Sequence, residues 1–183
     1  WAHAAIDAVG RLMEAHDLAA ADIAAIDVST FAQAANLFAQ MPATTSQAQY
    51  SLPFAVAVRV VHGRIGPEHV SGDGLLDSAV AEVLDGITVV ENARHSARFP
   101  GGRWSDVSLR LKDGTVLQSG DVHARGGPEA PMALDEVEVK FHAMSGPIGQ
   151  NRKRAIWAMR DRLRAPDARF GELLSLLHAP AGQ

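Results

Sequence analysis

The side chains able to move protons or bind anions are few and scattered. His3 and Asp7 stand four apart at the start of a helical pattern, so they share a face. They form either an orienting carboxylate–imidazole pair or a surface pair near a helix end. Tyr50, the single tyrosine, precedes a strongly apolar run and either presents its phenol to a cleft or packs as an aromatic with a satisfied hydroxyl. Arg152, Lys153 and Arg154 form a basic triplet. Such a triplet recognises a carboxylate, or else lies on a solvated face or meets a partner domain's acids.

Other chemistries lack their residues. None of the eight histidines has a metal-binding spacing, and the nearest pair, His62 and His69, is split by a Gly/Pro turn, so no metal is expected. Phosphate-cradling and dinucleotide glycine motifs are missing, and no serine sits in a Gly-x-Ser-x-Gly context. The absence of cysteine removes disulfides, thiol nucleophiles and Cys-ligated clusters. A net charge of −4 with dispersed cations argues against nucleic acid.

Elements that would position these residues follow from periodicity. The 183 residues, 47% hydrophobic, suffice for a sizeable core. No run approaches the roughly 20 apolar residues of a membrane span, and a soluble, cytoplasmic protein is expected. The chain opens Trp-Ala-His without an initiator methionine or signal-peptide regions, which reads as part of something longer.

Ala2 to about His16 has helical spacing, and Ile23–Thr30 is strand-like. Residues 31–43 are ambiguous. Ser51 can cap, and Pro53 start, a buried helix ending at His62. A one-sided stripe between Gly72 and Gly86 predicts one further helix. Ile87–Val90 and Trp104–Leu111 read as strands. Asp113-Gly114 predicts a type I′ hairpin into a strand over Thr115–Val122. The cluster Arg125-Gly-Gly-Pro-Glu-Ala-Pro131 marks a boundary, and stripes led by Leu134, Ile156 and Phe170 predict three helices beyond it. The fold class is therefore α+β: a domain over residues 1–125 with helices on a small, mainly antiparallel sheet, then a helical segment over 126–183. The residues alone name no reaction.

The segment Ala48-Gln-Tyr-Ser-Leu-Pro-Phe-Ala-Val-Ala57 resembles the MmgE/PrpD family, in which a Phe-Ser-Leu-Pro-Tyr-like run opens a buried helix. Three more segments match in order. Trp1–Ala8 looks like the end of the family's Lys-x-Tyr-Pro-x-Cys-x-x-x-His-x-x-Ile-Asp stretch, Leu109–Thr115 like its Leu-x-Asp-Gly hairpin, and Pro131–Phe141 like its Pro-Leu-Ser…Lys-Phe helix. The resemblance implies that 1–125 is a lid domain and that 126–183 returns to a large all-helical domain from the family's N-terminal half, which this chain lacks. It also implies a homodimer and a cofactor-independent lyase on a small polycarboxylate such as 2-methylcitrate, acting by proton abstraction beside a carboxylate. Most of the family's catalytic groups would lie outside this chain. His3 survives from the first motif as a cleft-edge candidate, and Tyr50 is the candidate replacement for the family tyrosine, whose position is Phe54 here. That departure keeps open an isomerase or epimerase of the same superfamily, or a non-catalytic dimerisation module.

Overall fold

The computed structural model describes residues 1–146 and 148–180. It divides into two units, Trp1–Pro131 and Met132–Gln183. In the first, α1 (His3–Ala15), β1 (Ile23–Thr30), α2 (Ala32–Ala35), α3 (Thr45–Gln49), α4 (Leu52–His62) and α5 (Ser78–Asp85) precede β2 (Ile87–Glu91) and α6 (Ala93–Ser96). The strands β3 (Trp104–Leu111), β4 (Val116–Gln118) and β5 (Val122–His123) complete it. The second unit holds α7 (Leu134–Met144), α8 (Gln150–Arg162) and α9 (Phe170–His178). The class is α+β, as the periodicities predict.

The sheet runs β2-β1-β3-β4, with β5 also on β3. Only β1 and β2 are parallel; the other pairings are antiparallel. Alternation decides its faces. Ile26 and Val28 of β1 and Val107 and Leu109 of β3 are buried, packing with Ala5, Ala8, Val9 and Leu12 of α1 and Leu52, Val56 and Val60 of α4. The intervening Asp27 and Arg110 face water, joined at 3.5 Å.

Local chemistry sets the helix limits. The Phe54 N–H donates to Ser51 Oγ at 3.2 Å, Pro53 occupies the first turn where no N–H is needed, and Gly63, at φ 69°, closes α4. The stripe between Gly72 and Gly86 is not one helix. Residues 72–76 form a 3₁₀ turn, and Asp77 starts α5 anew by accepting from Ala79 and Val80 N–H. A carboxylate at a helix N-terminus satisfies two orphan donors, which outweighs continuing the apolar stripe; Leu76 is left 79% exposed.

The hairpin forms with a different turn. Leu111 and Thr115 close the loop, Gly114 alone has positive φ, and Asp113 Oδ1 accepts from Thr115 N–H. This is a three-residue connection with glycine in the left-handed position, not type I′, which needs two such residues. The strand predicted over Thr115–Val122 is broken between β4 and β5. There the Val107 N–H donates to Ser119 Oγ instead of a ladder carbonyl, and Gly120 turns at φ 64°.

In the second unit, Met159 and Lys153 are the buried side chains among the described residues. Phe141 and Trp157 pack with centroids 5.4 Å apart. Leu134, Val139 and Met144 of α7 and Phe170 and Leu177 of α9 stay exposed.

Candidate active site

His3 opens α1 and is exposed. Beside it an aromatic wall forms because β1 delivers Phe31 as it ends. Trp1 meets Phe31 and Phe99 edge-on at 6.0 and 5.9 Å, and those two rings stack at 4.9 Å. The Arg103 guanidinium lies 5.9 Å from the Phe99 centroid, and among the described residues it has no ion-pair partner. An imidazole, an unmatched cation and an apolar wall at one helix start can hold a small anion and exchange a proton with it.

Asp7, one turn on from His3, pairs with Arg125 at 3.7 Å. The reason is placement: α1 packs along β3 and β5, so its Asp7 face meets the segment that follows β5.

Tyr50 caps the C-terminal end of α3 and is 65% exposed, so its ring is not packed in the interior. Its carbonyl accepts from Phe38 N–H at 2.9 Å. Both candidates are thus tied to the segment leaving β1, His3 through Trp1 on Phe31 and Tyr50 through Phe38. Phe54, the residue that follows the Ser-Leu-Pro run, is fully buried among Ala48, Ala57, Val58, Val80 and Leu84.

Two histidine clusters carry no motif in the sequence. His95 of α6 is fully buried, with Nε2 2.7 Å from Asp106 Oδ2 and a buried Nδ1 that has no hydrogen-bond partner among the described residues. Arg94 reaches Asp106 at 3.3 Å and Asp121 at 2.7 Å, and Arg98 holds Asp121 at 2.8 Å while lying over Trp104. Burial pushes the Asp121 carboxyl up, but the Arg98 hydrogen bond and the charge of Arg94 outweigh it and hold it below the usual carboxylate range. Ligand atoms of His95, Asp106 and Asp121 lie within 4.8 Å of one another. With two guanidinium groups already on the carboxylates, the cluster is a charge-balanced clamp fastening α6 to β3. It fixes the chain that carries Phe99 and Arg103.

The second cluster unites the pair separated by the Gly/Pro turn. His62 and His69 stack at 4.6 Å, His62 Nε2 lies 2.8 Å from Asp77 Oδ2, and His69 Nδ1 accepts from Gly66 N–H. Burial holds the His69 pKa below its ordinary value, and the His62 hydrogen bond holds Asp77 below its own. The unfolded chain therefore binds more protons than the native state as pH falls below about 6.5, the ordinary histidine value. Stability is expected to fall in urea titrations as pH drops through and below the ordinary histidine value, and again as Asp77 protonates in the carboxylate range. His69→Asn, which keeps an acceptor for Gly66 N–H, should flatten the first limb and leave the second.

The basic triplet is structural. Arg152 donates to the carbonyls of Leu176, Leu177 and Pro180, capping α9, and the buried Lys153 donates to the His142 carbonyl at the end of α7. Arg154 bonds Asn151. Cations satisfying the last carbonyls of two helices favour neither the solvated face nor the carboxylate receptor that the spacing suggests.

An α+β unit with a mixed sheet, an exposed histidine at its first helix and a buried helix opened by Ser-Leu-Pro defines the class. The chain belongs to the MmgE/PrpD family: the model of the MmgE/PrpD C-terminal domain matches residues 1–165, which takes in the whole first unit, α7 and α8. No curated protein matches the sequence.

Proposed function

We propose that this chain is the C-terminal part of a cofactor-independent, dehydratase-like lyase acting on a small polycarboxylate such as 2-methylcitrate. In this reading residues 1–125 act as a lid, and 126–183 return to a helical domain supplied by the N-terminal half of the same protein. A base removes the proton beside a substrate carboxylate, the electron pair forms the new double bond, and hydroxide leaves as water after protonation. His3 is the proton-transfer group contributed by this chain, Tyr50 its phenol, and Arg103 a carboxylate contact.

The observation that carries the proposal is the family match over residues 1–165, and His3 stands at the start of α1. The exposed apolar side chains of α7 and α9 support docking to a further helical domain. One observation favours a second reading. Phe54 leaves no phenol at the family tyrosine position, which suits an epimerase that returns the proton to the same carbon without expelling water.

A proton NMR time course of the intact protein in deuterium oxide separates them. Offered 2-methylcitrate, citrate, cis-aconitate and an iminodiacid in turn, a lyase is expected to yield the unsaturated acid from a hydroxy acid. Deuterium uptake without loss of water would replace the lyase with the epimerase. Silence with every substrate would leave the dimerisation module.

A further inference from the structure

The segment between α4 and α5, residues 63–77, is fastened by two histidines. Its first turn, Pro67–His69, folds back so that His69 Nδ1 accepts from Gly66 N–H at 2.9 Å. Nδ1 therefore carries no proton, and the His69 ring is neutral. That ring stacks on His62, the last residue of α4, with centroids 4.6 Å and planes 22° apart. His62 Nε2 reaches Asp77 Oδ2 at 2.8 Å, while Asp77 Oδ1 caps α5. The two rings thus tie the segment to the end of one helix and the start of the next.

The fastened segment is a cover. Val70 and Leu75 pack on the smaller core formed by Ala48 of α3, Phe54, Ala57 and Val58 of α4, and Val80 and Leu84 of α5. Its two turns are coupled, because Gly74 of the second, Gly72–Leu76, lies directly on the backbone of the first. A Cβ at Gly74 would collide with the Glu68 carbonyl and lie 2.8 Å from His69 Cα. The second turn also packs against α3, whose C-cap is Tyr50. Displacing His69 therefore displaces both the cover of Phe54 and the support of Tyr50.

A proton on His69 undoes the fastening. An N–H on Nδ1 meets the Gly66 N–H donor to donor, and the acceptor within reach is Glu68 Oε1 at 3.6 Å, a half-exposed carboxylate already bound to Arg64. Burial is the largest influence against the proton; His62 of α4 and Arg64 also oppose it, while Glu68 and Asp77 favour it. The second turn adds Asp73, and α3 has no ionisable side chain within Thr45–Gln49 before the neutral Tyr50. Opening frees His69 to bind its proton at the ordinary value, so opening becomes more favourable as pH falls through and below that value.

We propose that the stacked His62 and His69 form a proton-operated latch: on protonation residues 63–77 leave their place locally, uncovering the Phe54 core and loosening α3 with Tyr50, while the sheet stays folded. The inference does not depend on the reaction assigned above.

Hydrogen exchange of the intact protein, read by mass spectrometry of its peptides, tests this. After correction for the intrinsic pH dependence of exchange, protection of residues 45–50 and 63–77 is expected to fall together by about three- to tenfold, from about one unit above the ordinary histidine value to about one unit below it. The β1–β3 ladder should keep its protection. In His69→Asn, which retains an acceptor for Gly66 N–H and cannot take the proton, protection of both stretches should become independent of pH. The wild-type comparison stands even if that variant folds poorly. Unchanged wild-type protection across this range, a loss shared equally by β1 and β3, opening of 63–77 with 45–50 untouched, or a His69→Asn protein that responds like wild type would each overturn the proposal.

Discussion

Phe54→Ala is expected to cost about 3–5 kcal/mol of stability, the usual range for removing a fully buried aromatic ring. The ring is 0% exposed and fills the space between α4 and α5 against Ala48, Val58, Val80 and Leu84. Two of its neighbours are alanines, which cannot reach into the cavity left behind. Phe54→Tyr separates a packing role from a lost chemical one. A phenol placed there adds a hydroxyl where the surrounding side chains are apolar, so it is expected to cost about 1–3 kcal/mol through desolvation and to add no activity. Urea midpoints of both variants, read with turnover, check this. A neutral Phe54→Tyr that raises turnover would mean that the ring borders the substrate, and the interior placement of Phe54 would be wrong for the working protein.

The same residue shows why some features are legible in a sequence and others are not. The limits of α4 could be read because they are written locally, in Ser51, Pro53 and Gly63, each acting on groups within one turn. The faces of β3 followed from strict alternation. The break at Asp77 was less visible, since the apolar stripe crosses it and only the competition between capping and continuation decides the outcome. The clamp of His95 and Asp106 could not be seen at all. It joins a short helix to a strand through groups whose meeting depends on the sheet, and a lone histidine eleven residues from an aspartate has no signature. Arg152 and Lys153 misled for a related reason: a charge run reads as solvated surface until the helix ends it serves are placed. Caps, turns and alternation are local physics, whereas a site built from several elements becomes readable only through packing or through resemblance to a family.

His3→Ala in the intact protein is expected to lower kcat by about 10²–10⁴, the usual contribution of a positioned proton-transfer group. The melting temperature should hardly move, because the side chain is exposed at the start of α1 and makes no part of the core. His3→Gln sharpens the reading: glutamine keeps hydrogen-bonding capacity without exchanging a proton near neutral pH, so it should be as impaired as alanine if the imidazole transfers the proton. If glutamine instead restores the rate, His3 binds substrate without moving a proton. Tyr50→Phe removes only the phenol oxygen from an exposed side chain, and a fall in kcat with unchanged KM would give it a part in the transition state. Normal turnover in all three variants would move the proton transfer to groups outside this chain. The aromatic wall and Arg103 would then remain as its contribution, closing over an anion without taking part in the bond changes.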